Sequence, residues 1–150
     1  MSDNVISTLN DLVETSKDGE EGFRAAAEDT VNAELQALFL RRAEDCRSSV
    51  VDLQQLITQL GGEPEKSGSI AGAMHRGWVH LKASVSGRPD VAILEECERG
   101  EDLAKDRYSE ALARELPDTV RMVVQGQYDG VVRNHDQIRD LRDRYRTKDK

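Results

Sequence analysis

Residues 61–90 read GGEPEKSGSIAGAMHRGWVHLKASVSGRPD, and how the chain spans this stretch decides the fold. The stretch opens on Gly61-Gly62 with Pro64 behind, a grouping that ends a helix and prevents its resumption. It closes on Pro89-Asp90, which opens another helix. Between them Ile70, Ala73/Met74, Gly77/Trp78 and Leu81 recur at helical spacing, so a short helix is expected over 69–85. A helix of about 15 residues covers roughly 22 Å, and flanking extended residues add about 3.3 Å each. The connection can therefore run the length of a long helix, roughly 40 Å. That permits a crossover, with the helix before it parallel to the helix after it.

Outward on either side lie two pairs of long amphipathic segments. The first helix, 4–29, carries the stripe Val5, Leu9, Leu12/Val13, Ser16, Glu20, Phe23, Ala27. The second, 32–60, carries Leu35, Leu38/Phe39, Arg42, Cys46, Ser49, Leu53, Leu56/Ile57, Leu60. The third, 91–116, carries Leu94, Cys97, Glu101, Ala104, Tyr108, Ala111/Leu112. The fourth, 118–145, carries Val120, Val123/Val124, Gln127, Val131, Asn134/His135, Ile138, Leu141, Tyr145. Thr30 or Asn32 can cap the second helix, and Pro117-Asp118 separates the last two with almost no loop. Short connections make antiparallel neighbours. The expectation is an all-α four-helix bundle in one domain, 1–150: hairpin 4–60, crossover 61–90 with its short extra helix, hairpin 91–146.

Composition narrows the function classes. The 150 residues carry a formal net charge of -8, which repels nucleic acid and anionic membranes. Aromatics are 4%, too few for a base-stacking platform. Cys46 and Cys97 match no zinc or redox spacing and fall on apolar faces, so buried thiols in a reducing compartment are expected. The start MSDNVISTLN has no long apolar run, and no stretch is apolar enough to cross a membrane, so the chain reads as cytoplasmic. Interleaved Arg and Asp after Arg133, such as Asp136/Arg139 and Asp140/Arg144, suit a solvated, ion-paired helix face.

Two carboxylates break the apolar stripes. Glu20 and Glu101 stand where a core leucine is expected, and burial disfavours a lone carboxylate's charged form. With the crossover, both lie about ten residues from the same end of the bundle. Arg42 and Asn134/His135 fall near that depth, giving one layer of Glu20, Glu101, Arg42 and His135. Without the crossover the layer dissolves. Three accounts compete, one being that the helix faces are misassigned and these side chains lie in water. Arg42 can satisfy the carboxylates through its forked guanidinium. Alternatively Glu20, Glu101 and His135 bind a metal ion, with Arg42, Glu98, Gln127 and Asn134 supporting them; carboxylate and imidazole suit iron, manganese or zinc. Arg42 argues against the metal, because a guanidinium repels a nearby dication. His75 and His80 lie five apart and splay over different faces, so docking of the crossover helix is the expected role of His75-Arg76-Gly77-Trp78. No nucleophile and base stand at a defined spacing.

Several strings carry a resemblance: Leu9-Asn10-Asp11-Leu12, Ser16-Lys17-Asp18-Gly19-Glu20-Glu21-Gly22-Phe23, His75-Arg76-Gly77-Trp78, Glu98-Arg99-Gly100-Glu101-Asp102 and Asn134-His135-Asp136. Through them the chain resembles the ferritin-like superfamily, and within it a bacterial four-helix branch catalogued as a domain of unknown function. The resemblance implies a ferritin-like bundle and no particular activity. Iron-binding members carry Glu-x-x-His on helices two and four. Here Cys46-Arg47-Ser48-Ser49 stands in that place on helix two, and neither Gln127 nor His135 belongs to such a motif. Only Glu20 and Glu101 match ligand positions. The expected function is a cytoplasmic ferritin-like protein with a degenerate carboxylate/histidine metal site, used in metal handling or stress. The alternative is a metal-free structural or protein-interaction bundle with a buried Arg–Glu layer. Homo-oligomerisation fits either, since bundle faces commonly self-associate.

Overall fold

A computed structural model describes residues 2–63 and 89–148. The expected short helix over 69–85, with His75, Trp78 and His80, lies outside the described residues. The described residues form four helices: α1 (Ser2–Asp29), α2 (Ala33–Gln59), α3 (Asp90–Leu112) and α4 (Asp118–Lys148).

The boundaries have local causes. Asn32 caps α2, its side-chain oxygen accepting the Leu35 N–H at 3.0 Å. Thr30 joins the same corner to the start of α3: its hydroxyl accepts the Asn32 N–H and donates to Asp90 Oδ1 at 2.7 Å. At the far end of α2, Gly61 takes φ +84°, a left-handed turn that glycine enters without a Cβ penalty. The Gly61 and Gly62 N–H groups then satisfy the Thr58 and Ile57 carbonyls. Helix α3 stops at Leu112, four residues short of the sequence expectation. Pro117 disfavours helical geometry in the residue before it. The carbonyls of Leu112 and Arg114 are instead taken by the Arg121 guanidinium of α4, at 2.9 and 2.8 Å.

Contacts along the helices establish the topology. Thr30 meets Asp90, Ser16 meets Tyr108 and Thr8 meets Arg114, so α1 and α3 are antiparallel. Asn32 meets Tyr145, and the Ser49 carbonyl meets Gln127, so α2 and α4 are antiparallel too. Helix α2 therefore runs parallel to α3, the crossover arrangement.

The core falls into two apolar clusters. One surrounds Phe23, Phe39, Leu35, Ile93, Leu94 and Ile138. The other surrounds Leu9, Leu12, Leu53, Ile57, Tyr108 and Val124. Both are closed to water, and each is held by area removed from solvent at roughly 25 cal/mol per Å2. Polar side chains occupy the level between them.

Candidate functional site

Helix α3 presents Cys97, Glu101 and Tyr108 to the interior at helical spacing. Glu101 is 2% exposed, and its Oε1 accepts the Arg42 Nε–H at 3.3 Å. Arg42 projects from α2 and is itself 9% exposed, with its guanidinium carbon 5.8 Å from the centroid of the Phe23 ring. Burial works against the Arg42 charge, but Glu101 outweighs it and raises the guanidinium's affinity for its proton. Burial likewise pushes the Glu101 carboxyl above its usual range, with Arg42 opposing the shift. Asn134 stands close enough to favour the charged carboxylate. Even so, Glu101 Oε2 and Asn134 Nδ2 are both buried with no well-formed hydrogen bond among the described residues.

Two turns along α3 from Glu101, the Tyr108 hydroxyl donates to Gln127 Oε1 at 2.7 Å. Its proton thus committed, it accepts from Ser16 Oγ at 3.2 Å. Gln127 Nε2 in turn donates to the Ser49 carbonyl at 3.3 Å. Burial drives the Tyr108 phenol well above its usual range, with the Ser16 bond opposing. A cavity of about 30 Å3, close to the space one water occupies, is bounded by Ser16, Cys46, Glu101, Tyr108 and Gln127. Cys46 is a free thiol pushed up to about 12 by burial, and Cys97 is free and also raised by burial. Neither is poised as a thiolate.

The remaining sequence candidates share this depth but face elsewhere. By the Ser16–Tyr108 register Glu20 sits opposite Ala104, within about one turn of Glu101. Its carboxylate turns along its own helix to Arg24, with Nη2 at 2.9 Å, and is 23% exposed. His135 is buried, yet its Nε2 meets Asp102 Oδ1 at 2.6 Å and its Nδ1 meets Asp136 at 3.1 Å. Glu98 lies 3.9 Å from the same Nε2 and is bound by Arg142 of α4. The layer thus divides into an Arg42–Glu101 centre, an α1 surface pair, and a histidine–carboxylate group on the α3–α4 flank.

No three histidine, cysteine, aspartate or glutamate side chains among the described residues form a group that could hold a metal ion. Glu20, Glu101 and His135 each have a different partner, and a guanidinium already occupies the side of Glu101 that faces α2. The donor set as arranged does not fit a di-iron centre. The sequence reading missed Asp102 as the partner of His135, although Glu98 and Asp102 are four apart and share a face. It also missed the Ser16–Tyr108–Gln127 chain, whose only sequence signal is hydroxyls on apolar stripes.

Solved structures that share the fold include the following two. A two-domain protein from Anabaena variabilis, containing DJ-1/ThiJ/PfpI-like and ferritin-like domains, matches with a TM-score of 0.76 at 15% identity. The match covers 99% of this chain and 37% of that one, so this chain spans well under half of that protein. A dodecameric thioferritin, the bacterioferritin-related protein of Bacteroides fragilis, matches with a TM-score of 0.77 at 19% identity, over 99% of this chain and 90% of that one. At these identities the likeness shows the ferritin-like fold alone. No curated protein matches the chain. With four helices in the crossover arrangement and residues 4–114 matching the family model described as Domain of unknown function (DUF2383), the chain belongs to that family.

Proposed function

We propose that this protein is a ferritin-like bundle whose centre is held by an Arg–Glu ion pair where a metal would otherwise sit, and that it serves as a structural or protein-interaction module assembled with copies of itself. The observation that carries this reading is the 3.3 Å contact between Arg42 Nε and Glu101 Oε1, both side chains closed to water. A fixed cation on Glu101 repels a dication. Such a buried pair adds little net stability against apolar side chains, but it penalises misaligned helices because each charge then loses its partner. Self-assembly draws support from the dodecameric Bacteroides neighbour and from Leu40 and Val51, exposed on the outer face of α2 at 46% and 42%. Its two free buried thiols suit a reducing cytoplasm.

A second reading has one observation in its favour. Glu101 Oε2 is buried without a partner among the described residues, a group that a metal ion or a water would satisfy. On that reading Glu20, Glu101 and His135 rearrange around iron, manganese or zinc, and the protein acts in metal handling or stress. Untagged protein loaded with each metal and assayed by elemental analysis separates the two, alongside light scattering for mass. The Arg–Glu reading expects substoichiometric metal, unchanged in Glu20→Ala and Glu101→Ala, and a mass above the monomer. Stoichiometric metal that both variants lose would transfer the function to metal handling. A monomer would remove the assembly role.

A further inference from the structure

The seam between α2 and α4 holds a groove of about 510 Å3, a volume within the range of small-molecule sites. Its electrostatics run against the rest of the chain. Arg41, Arg42 and Arg133 line it, and Asp45 is the one acid among its described lining residues. Among the described arginines elsewhere, Arg24, Arg47, Arg99, Arg121 and Arg142 are bound to carboxylates or carbonyls, and Arg114 is bound to the Thr8 hydroxyl. Arg41 and Arg133 make no ion pair or hydrogen bond with a described residue. Arg42 is committed only through Nε; its nearest other partner is the exposed Asp45, 3.9 Å from Nη1. Glu101 thus grips one edge of a rigid fork and leaves the other edge for the groove.

A second, independent feature is the pair Gly126 and Gly130, one turn apart on α4 and both lining the groove. Glycine inside a helix is unfavourable relative to alanine, and close packing usually offsets it. Here it does not. A Cβ at Gly126 would meet nothing within 4 Å, and one at Gly130 would meet only the flexible tip of Arg133 at 3.7 Å. Among the described residues, no close packing calls for glycine at either position. Their effect is to keep helix backbone open to the groove.

We propose that the α2–α4 groove binds a small anionic molecule, its phosphoryl or carboxylate oxygens held by Arg41, Arg42 and Arg133 and its body resting on the α4 backbone at Gly126 and Gly130. Forked guanidinium groups match oxyanions of either kind, so the shared chemistry is a compact, multiply charged oxyanion. The site goes beyond the structural role above and requires neither self-assembly nor the absence of metal.

Calorimetric titration of the full chain with inorganic pyrophosphate and, separately, with citrate tests it at low ionic strength. At least one probe should bind saturably in the millimolar range or tighter and weaken as salt rises. Arg133→Gln should weaken binding about tenfold, and Arg41→Gln with Arg133→Gln should remove it. Gly126→Leu, whose Cβ has open space, should fold and block it. Binding by pyrophosphate alone assigns the site to phosphoryl groups; binding by citrate alone assigns it to carboxylates. Failure of both probes on wild-type protein overturns the proposal, as does binding unchanged by the arginine substitutions. A change of oligomeric mass in Arg133→Gln with no anion binding would overturn it in favour of a protein partner in the groove.

Discussion

The α1–α3 seam and the α2–α4 seam join the same two hairpins, yet they close differently. Along α1–α3, side chains bridge the whole length: Thr30 to Asp90 at one end, Ser16 to Tyr108 in the middle, Arg114 to Thr8 at the other. Along α2–α4 the bridges between described residues thin out to Asn32–Tyr145 and Gln127–Ser49, and a groove lies over two glycines. The buried Arg42–Glu101 pair stands between these regimes, one end in the core and the other at the groove. A bundle that needed only stability would close both seams alike. The open one is therefore where an external contact is to be sought.

The largest effect should come from the residue that spans both regimes. Arg42→Ala leaves Glu101 buried and uncompensated and should cost about 3–5 kcal/mol in urea unfolding. Arg42→Met with Glu101→Leu should recover most of that loss. If the double variant stays as unstable as the single, the layer contributes packing rather than charge. The same centre has a pH signature. Burial holds the Glu101 carboxyl above its ordinary 4.5, Arg42 notwithstanding. The folded protein then binds this proton more tightly than the unfolded chain, so the stabilisation is full below pH 4.5 and fades as pH climbs through the raised value. Wild type should lose stability relative to Glu101→Gln across that rise. Wild type gaining stability relative to Glu101→Gln as pH rises would mean that Arg42 outweighs burial.

In the closed seam, Tyr108→Phe removes the hydroxyl that links Ser16 to Gln127 and should cost about 1–3 kcal/mol by leaving buried groups unpaired. The open seam should answer with the opposite sign. Gly126→Ala meets no steric obstacle and should stabilise the protein by about 0.5–1 kcal/mol in thermal melts. A destabilising Gly126→Ala would show that α2 and α4 approach more closely in solution, and the contrast between the seams would collapse.

Much of this architecture is legible in the residues. The Gly61-Gly62 stop, the Asn32 cap and the apolar stripes place three of the four helices to within a residue or three at each end. The miss at the end of α3 came from Arg121, a side chain of another helix that satisfies the carbonyls freed before Pro117. Glu101 and Arg42 were readable as partners because both interrupt apolar stripes at matching depth. Glu20 interrupts a stripe at that depth too, and its neighbour Arg24 draws it sideways to the surface. His135 was readable as buried but not as bound to Asp102, because periodicity gives a face and not a rotamer.

Spacing and breakers along one chain thus suffice for helices, their pairing and the level of the polar interruption, because these depend on local hydrogen bonding and on which face must leave water. Which carboxylate goes inward, which arginine meets it and which seam stays open were decided only when four helices shared one volume. A buried charge is tolerated where a partner from another helix arrives within reach, and that distance exists only in the folded protein.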